Sequence, residues 1–230
     1  MTNREIEALL AEQVSYYRAR AAEYDEWWYR TGPYDEGPEA NAKFKEEAIE
    51  IDRAVAQFEA RGDVLELASG TGLWSVQLAR TATTLTCVDS APEMIRINQS
   101  KFNALGLQPP HYLETDIFKW HSSALYDSIF FGFWISHVPI ALFENFCDKL
   151  RRALKPNGRV FFVDERPSDL YVYETPQDEK QLRKLKDGRT FNIVKLYYQP
   201  RVLSDQLSKL GWKTDIRATK ARFLYGTAWR

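Results

Sequence analysis

A glycine turn between a buried strand and a helix is the first place where this sequence offers chemistry. The segment DVLELASGTGLWS runs from Asp63 to Ser75, and Gly70 and Gly72 follow its apolar strand residues. Glycine adopts positive φ and lets a ligand approach the backbone, while the next helix offers unpaired N–H groups. This order favours a nucleotide-like ligand, although a strand-to-helix turn without a ligand has the same local pattern.

Acidic residues end the next two predicted strands. Asp89 follows the glycine turn by about twenty residues, where a carboxylate accepts hydrogen bonds from ribose hydroxyls. Asp116 lies after the third strand, in the segment TDIF, and is placed to accept from an adenine amine. Taken alone, Asp89 is equally explained as a cap of the helix near Pro92, and Asp116 as a turn cap. Polar residues at three successive strand ends favour an adenosine site.

Alternating strand and helix patterns position these residues. Apolar residues at helical spacing predict two helices before the first strand, over Ile6 to Tyr17 and Phe44 to Phe58. Strands that alternate with helices form a parallel sheet that binds ligands at the carboxyl ends of its strands. The closing segments GWKTDIRAT and ARFLYGTAW predict two strands that pair as an antiparallel hairpin. The other predicted strands cover 63–67, 84–88, 111–114, 128–133 and 159–163, and the predicted helices cover 73–80, 92–104, 140–154 and 201–210.

Composition narrows the function classes. The 230 residues fit one domain, and 31 basic against 32 acidic residues give no reason to expect a nucleic acid or a membrane as partner. No signal peptide or membrane span is recognisable. Cys87 and Cys147 are separate and predict free thiols in a reducing compartment, so we expect a cytoplasmic protein. The three histidines lie apart, and no metal site is predicted.

Five segments in order carry a family resemblance. ELASGTG, CVDSAPEM, TDIF, YDSIFFGFWISHVP and LRRALKPNGRVFFVDE together resemble the successive motifs of the class I S-adenosylmethionine-dependent methyltransferases, over roughly Asp63 to Glu165. The resemblance implies S-adenosyl-L-methionine as cofactor and a small-molecule methyl acceptor. It also implies an α/β fold: a Rossmann-like, seven-stranded, mostly parallel sheet with a C-terminal antiparallel hairpin, helices on both faces and an N-terminal helical lid. One departure is Ala68, where the family often has glycine.

The resemblance assigns cofactor contacts residue by residue. Glu66 and the turn from Ala68 to Gly72 would hold the methionine end and the ribose, and Asp89 the ribose hydroxyls. Asp116 would accept from the adenine amine. The further cofactor-binding residues expected in this way are Tyr16, Tyr29, Gly70, Ser90, Met94, Ile117 and Phe133.

Catalytic and substrate residues have weaker sequence signals. His137 alone among the histidines follows a strand end, which makes it a candidate base or acceptor orienter, or else a cap near the helix that begins at Ile140. We expect residues 1–60 to form helices and an aromatic lid over the methyltransferase domain, 61–230, and a second cover near 165–195. The aromatic residues alternatively pack the N-terminal helices on the sheet. The predicted substrate contacts are Tyr24, Trp28, Trp134, Glu165 and Tyr197.

Two other functions remain open from the sequence. A nicotinamide-dependent oxidoreductase shares the glycine turn, and Ser75 supplies the third small residue of its fingerprint. The acid after the third strand and the closing hairpin argue against it. A domain that binds S-adenosylmethionine without turnover would keep the same cofactor residues. A neutral surface and two modest covers favour an enclosed small-molecule pocket.

Overall fold

The predicted sheet is present in the computed structural model, which describes residues 1–167 and 179–230. Seven strands lie in the order β3-β2-β1-β4-β5-β9-β8, with β1 to β5 parallel and β9 antiparallel to both β5 and β8. A separate two-stranded sheet pairs β6 with β7. The strands are β1 (Gly62–Leu67), β2 (Ala82–Asp89), β3 (His111–Glu114), β4 (Tyr126–Gly132), β5 (Leu154–Glu165), β6 (Lys180–Lys184), β7 (Thr190–Val194), β8 (Lys213–Ala218) and β9 (Phe223–Trp229).

All six helices predicted from the sequence are present, and a short additional helix, Tyr24–Tyr29, was not predicted. Capping by Thr2 and Glu5 begins the first helix, and proline at the first turn begins three others. No helix within the described residues is long and apolar enough to cross a membrane. The helices are α1 (Asn3–Arg20), α2 (Tyr24–Tyr29), α3 (Pro38–Phe58), α4 (Ser75–Ala79), α5 (Pro92–Ala104), α6 (Ile140–Ala153) and α7 (Pro200–Lys209), with short 3-10 turns at Ala21–Glu23, Gly32–Tyr34 and Ile135–His137.

Strand register brings the candidate residues to one edge of the sheet. Leu67, the last residue of β1, pairs with Val88 on β2 and with Phe131 on β4. The chain order of the strands reverses at β1, between β2 and β4, which is where open α/β sheets bind ligands. The glycine turn after β1, Asp89 at the end of β2 and the segment after β4 therefore converge on one crevice.

The second cover contains strands that the sequence patterns did not predict. Within this cover β6 and β7 form an antiparallel hairpin, and α1 lies along β7. Glu12 accepts a hydrogen bond from the Asn192 backbone N–H, and the Gln13 side-chain oxygen accepts one from the Val194 N–H at 2.9 Å. The first helix and this hairpin thus build one wall together. Residues 168–178 of the predicted cover lie outside the described residues.

Trp28, expected at the substrate, lies in the hydrophobic core. Its exposed fraction is 9 %, and its ring packs against Trp74 at 5.3 Å, Phe223 at 5.8 Å and Phe44 at 5.9 Å between centroids. Its neighbour Trp27 packs against the same aromatic cluster, at 5.6 Å from Phe44 and 4.8 Å from Phe133, but it is only partly buried and also lines a cavity. One aromatic position is therefore structural, and the next combines core packing with access to a ligand.

Candidate active site

A cavity at the carboxyl ends of β1, β2 and β4 holds most of the residues predicted to bind the cofactor. Gly70 and Asp89 supply its polar side, whereas Met94, Ile117 and Phe133 supply apolar walls. Met94 and Ile117 are buried and Phe133 is partly buried, so these side chains limit the access of water to a flat ring placed between them. The remaining lining residues are Tyr17, Tyr24, Ala68, Ser90, Gly132, Trp134 and His137.

The glycine turn adopts a left-handed backbone at three places. Ala68 has φ of 51°, Gly70 of 53° and Gly72 of 80°. A Cβ on Gly70 would meet no atom closer than 3.9 Å, so this glycine faces open space at the cavity. A Cβ on Gly72 would lie 2.6 Å from the Asn98 side chain, so packing rather than ligand contact requires that glycine. Ala68 keeps the turn geometry despite its methyl group, at some cost in backbone strain.

Asp89 both holds the turn and lines the cavity. One carboxylate oxygen accepts from the Gly70 N–H at 2.8 Å, and the other accepts from the Ala91 N–H at 2.9 Å. Burial raises the pKa of Asp89, and these backbone hydrogen bonds oppose that rise. Asp89 therefore holds the turn that precedes α5 and does not cap the helix, whose N-cap is Ala91. Each carboxylate oxygen can still accept a further hydrogen bond from a ligand.

Glu66 lies behind the turn and does not line the cavity. Its carboxyl group accepts from the Ser75 hydroxyl at 2.5 Å and from the Cys87 thiol at 3.3 Å, while Asn98 donates to Ser75 at 2.9 Å. Burial raises the pKa of Glu66 to about 7, against the effect of these donors. Glu66 thus supports the turn from the side opposite to the cavity.

Three other predicted cofactor residues lie away from this cavity. Tyr29 is 61 % exposed and borders a surface groove with Asp52. Asp116 accepts from the Phe118 N–H at 2.9 Å and lines a neighbouring groove beside α1. Tyr16 belongs to a second cavity, described next. An adenine contact by Asp116 stays a prediction, supported by Ser90, which lines both the groove and the cavity.

A second cavity of about 370 Å³ adjoins the first. The two share Tyr17, Tyr24, Phe133 and His137, so these four side chains form their common boundary. Such a boundary is where a methyl group would pass from donor to acceptor, and we call the second space the acceptor cavity.

The predicted substrate contacts divide between several places. Tyr24 and Glu165 line the acceptor cavity, whereas Trp134 lines the first cavity. Tyr197 borders a further cavity of about 420 Å³. Three residues line both this cavity and the acceptor cavity: Trp27, Glu165 and Arg222.

Positive charge dominates the acceptor cavity. Of the residues that the structure describes, two acids face it: Glu36, which contacts Arg30 at 2.8 Å and Arg222 at 3.5 Å, and Glu165, which contacts Lys195 at 2.6 Å. An excess of cations in a partly enclosed space attracts anions. The basic lining residues are Arg20, Arg30, Arg183, Lys184, Lys195 and Arg222.

Arg20 is held by aromatic rings in place of a carboxylate. Its guanidinium lies 5.7 Å from the ring centroid of Tyr16, 5.1 Å from that of Tyr24 and 5.9 Å from that of Tyr34. It donates to the Tyr34 hydroxyl at 3.2 Å. Among the described residues, neither Arg20 nor Arg183 forms an ion pair. The sequence signal that was missed is the spacing of four residues that places Tyr16, Arg20 and Tyr24 together.

His137 is fully engaged by two neighbours. Its Nδ1 lies 2.5 Å from the Val194 carbonyl oxygen, and its Nε2 lies 2.8 Å from the Tyr17 hydroxyl. Burial, and next the charge of Lys195, hold the pKa of His137 well below its usual range. The imidazole is therefore neutral, and it contacts ligand space in company with Tyr17, a residue that sequence reasoning used only as a core position of the first helix.

The first cavity fits a nucleoside with a charged sulfur. Asp89 offers a carboxylate, Met94 and Ile117 offer apolar faces, and Tyr24 and Phe133 offer rings of the kind that attract a sulfonium. The Trp134 indole N–H is buried without a hydrogen-bond partner in the described part of the chain, so a ligand can supply one.

A family model and several solved structures are similar to this chain. A family model described as a methyltransferase domain matches residues 64–158. The structure of DhpI with S-adenosylhomocysteine (SAH) has 34 % identity and a TM-score of 0.79, covering 96 % of both chains. The structure of DhpI with S-adenosylmethionine (SAM) and HEP has 36 % identity and a TM-score of 0.79, covering 96 % of this chain and 98 % of that one.

More distant structures share the fold. The 1,6-didemethyltoxoflavin-N1-methyltransferase of Burkholderia thailandensis has 14 % identity and a TM-score of 0.64, covering 99 % of this chain and 90 % of that chain. No curated protein matches the sequence. Because the DhpI structures align over nearly the whole chain, the nicotinamide alternative has no support. The chain belongs to the class I S-adenosylmethionine-dependent methyltransferases.

Proposed function

We propose that this methyltransferase acts on a small anionic molecule bound in the acceptor cavity. The observation that carries the proposal is the excess of basic side chains there, above all Arg20 and Arg183, which make no ion pair with a described carboxylate. A cavity of about 370 Å³ suits a small molecule. The DhpI structure holds HEP together with SAM, so a similar chain binds a second ligand in addition to the cofactor.

Different residues would hold the cofactor, orient the acceptor and exclude water from the site of transfer. Bound S-adenosylmethionine supplies a methyl group on a positively charged sulfur that is already a good leaving group. Asp89 and the glycine turn would hold its ribose and methionine parts. Arg20 and Arg183 attract the acceptor and turn its anionic end away from bulk water. Tyr24 and Phe133, which line both cavities, keep water from the point of transfer.

No strong base is needed for such an acceptor, because an ionised oxygen is already nucleophilic. His137 is neutral, and both of its ring nitrogens are occupied by protein partners. We therefore propose that His137 orients its neighbour Tyr17 and does not remove a proton from the acceptor itself.

The charge balance and the cysteines bear on the class of partner and on the cellular location of the protein. Balanced surface charge supports a metabolite over a nucleic acid as partner. Cys87 and Cys147 are both buried free thiols, which supports a reducing, cytoplasmic location. The N-terminal residues 1–60 would cover the active site.

Exchange of Arg20 for glutamine tests the anionic acceptor. We expect SAH formation with small carboxylates or phosphonates but not with their neutral amides or esters. Because a hydrogen bond to a charged group is worth about 1.5–3 kcal/mol, Arg20→Gln should lower kcat/KM about 10- to 150-fold. Arg217→Gln, on β8, is the control because Arg217 lies outside both cavities. Equal turnover of neutral and anionic members of each pair would contradict the proposal.

Exchange of Asp89 for alanine tests the cofactor site independently of the acceptor. We expect the Kd for SAM and for SAH, measured by calorimetry, to rise by the equivalent of about 1.5–3 kcal/mol. Asp215→Ala on the exposed hairpin should leave both constants unchanged. A folded Asp89→Ala variant with unaltered affinity would reduce Asp89 to a support of the glycine turn.

A further inference from the structure

We infer that Tyr17 is a fixed hydrogen-bond acceptor at the boundary of the two cavities and that it selects an anion which also carries an O–H or N–H group. The inference rests on the proposed function and makes it narrower. The basic residues attract any anion, whereas Tyr17 distinguishes an anion that keeps a proton from one that has none.

The direction of two hydrogen bonds carries the argument. A carbonyl oxygen only accepts, so the contact of 2.5 Å between His137 Nδ1 and the Val194 oxygen places the ring proton on Nδ1. The imidazole is neutral, and its Nε2 therefore presents a lone pair. The Tyr17 hydroxyl, 2.8 Å from Nε2, must be the donor. Its single proton is committed to His137, and its oxygen is left only to accept.

The surroundings keep His137 from becoming charged. Burial disfavours an imidazolium, and Lys195, Arg183 and Arg20 add repulsion. If Tyr17 took a proton from the acceptor, its own proton would have to move to Nε2 and create that disfavoured charge. The acceptor's proton thus stays in its hydrogen bond to Tyr17. Tyr17 is accordingly a positioning residue.

Packing fixes the Tyr17 ring where this polarity matters. Its centroid lies 5.0 Å from that of Tyr16, 6.2 Å from that of Tyr24 and 5.5 Å from that of His137. The next residue, Arg18, binds Glu93 on α5 at 3.1 Å, which joins α1 to the sheet domain. Tyr17 lines both cavities, as does His137. A ligand in the acceptor cavity therefore meets a preset oxygen at the point of transfer.

The energetic consequence is a choice between anions. Arginine and lysine only donate, so they bind protonated and unprotonated anions alike. An anion with an O–H gains a hydrogen bond to Tyr17, whereas an anion without a proton brings its lone pairs against those of the tyrosine oxygen. Because an unpaired buried polar group loses its full hydrogen-bond energy, we expect a preference of roughly tenfold or more for the protonated anion.

Inorganic phosphate and sulfate are suitable probes. Phosphate keeps at least one proton at neutral pH, and sulfate keeps none. We expect the full chain, saturated with SAH, to bind phosphate at least tenfold more tightly than sulfate in calorimetry. Tyr17→Phe keeps the ring and should remove the preference, measured with SAH held at saturation for each variant. His137→Phe should free the Tyr17 proton for donation and shift the preference towards sulfate. Tyr29→Phe, at an exposed site of α2, should keep the ratio of the natural chain.

The outcomes separate this inference from the proposed function. Equal binding of phosphate and sulfate by the SAH-bound chain would overturn the role of Tyr17 and leave the anionic acceptor standing. Failure of both anions to bind would overturn both. Nitrogen-15 spectra of the histidine rings give a test that needs no anion: a neutral Nδ1–H ring for His137 supports the inference, and an imidazolium at neutral pH overturns it.

Discussion

Lys195→Met is expected to lower the free energy of unfolding by about 3–5 kcal/mol, the usual cost of breaking a buried ion pair. The Lys195 side chain is 2 % exposed, and its Nζ lies 2.6 Å from a Glu165 oxygen, 3.6 Å from an Asp164 oxygen and 3.0 Å from the Ser136 hydroxyl. Removal of the ammonium leaves two carboxyl groups at the acceptor cavity without their cation.

The pKa directions agree with this arrangement. Burial would lower the pKa of Lys195, but Glu165 and Asp164 outweigh burial and raise it. Burial likewise would raise the pKa of Glu165, but the charge and hydrogen bond of Lys195 lower it. For Asp164 burial has the larger effect on the pKa and raises it, although the charge of Lys195 acts in the opposite direction. Lys195 is therefore charged, and its charge is what keeps the pKa of Glu165 low.

Urea unfolding of the variants measures the effect. Lys213→Met, at an exposed site of β8, should change stability by less than about 0.5 kcal/mol. Adding Glu165→Gln to Lys195→Met should recover part of the loss, since one uncompensated charge is then removed. A loss below about 1 kcal/mol in Lys195→Met would show that water replaces the ammonium and that this part of the cavity is not dry.

Trp28→Ala is the second large effect, with an expected loss of about 3–5 kcal/mol of stability. Trp28 is 9 % exposed and contacts the rings of Phe44, Trp74 and Phe223. Truncation leaves a cavity among aromatic side chains that belong to α3, the glycine-turn region and β9, and these elements cannot close together without moving the sheet.

The neighbouring positions separate core packing from a mobile lid. Tyr29→Ala, at a residue that is 61 % exposed, should change stability by less than about 0.5 kcal/mol. Trp27→Ala should act mainly on the acceptor, because Trp27 lines the acceptor cavity. Should Trp28→Ala unfold at the same urea concentration as the natural chain while losing turnover, the aromatic segment would be a lid and not part of the core.

Local sequence determined the framework of this protein. The glycine turn, the acid at the end of β2 and the bounds of α5 and β3 were all predicted, because they depend on hydrophobic periodicity, on proline at a helix start and on the backbone freedom of glycine. The same motifs in order were enough to predict the family. These features depend on residues that are close together in the sequence, so they can be predicted without knowledge of distant contacts.

Tertiary structure alone decided which residues face the ligands. Trp27 and Trp28 are adjacent tryptophans that pack against the same aromatic cluster, and only the fold leaves Trp27 partly exposed to the acceptor cavity while it buries Trp28. Glu66 was assigned to the cofactor by resemblance but lies behind the turn, since Ser75 and Cys87 hold it there.

The acceptor site depends most on distant contacts. Arg20 is an ordinary basic residue of a helix until the fold surrounds it with Tyr16, Tyr24 and Tyr34. Tyr17 gains its fixed polarity from a histidine 120 positions away in sequence, which is itself oriented by a carbonyl oxygen of β7. Long-range hydrogen bonds, and the lack of an ion-pair partner for Arg20 within the described part of the chain, arise only in the folded protein, so no local pattern in the sequence records them.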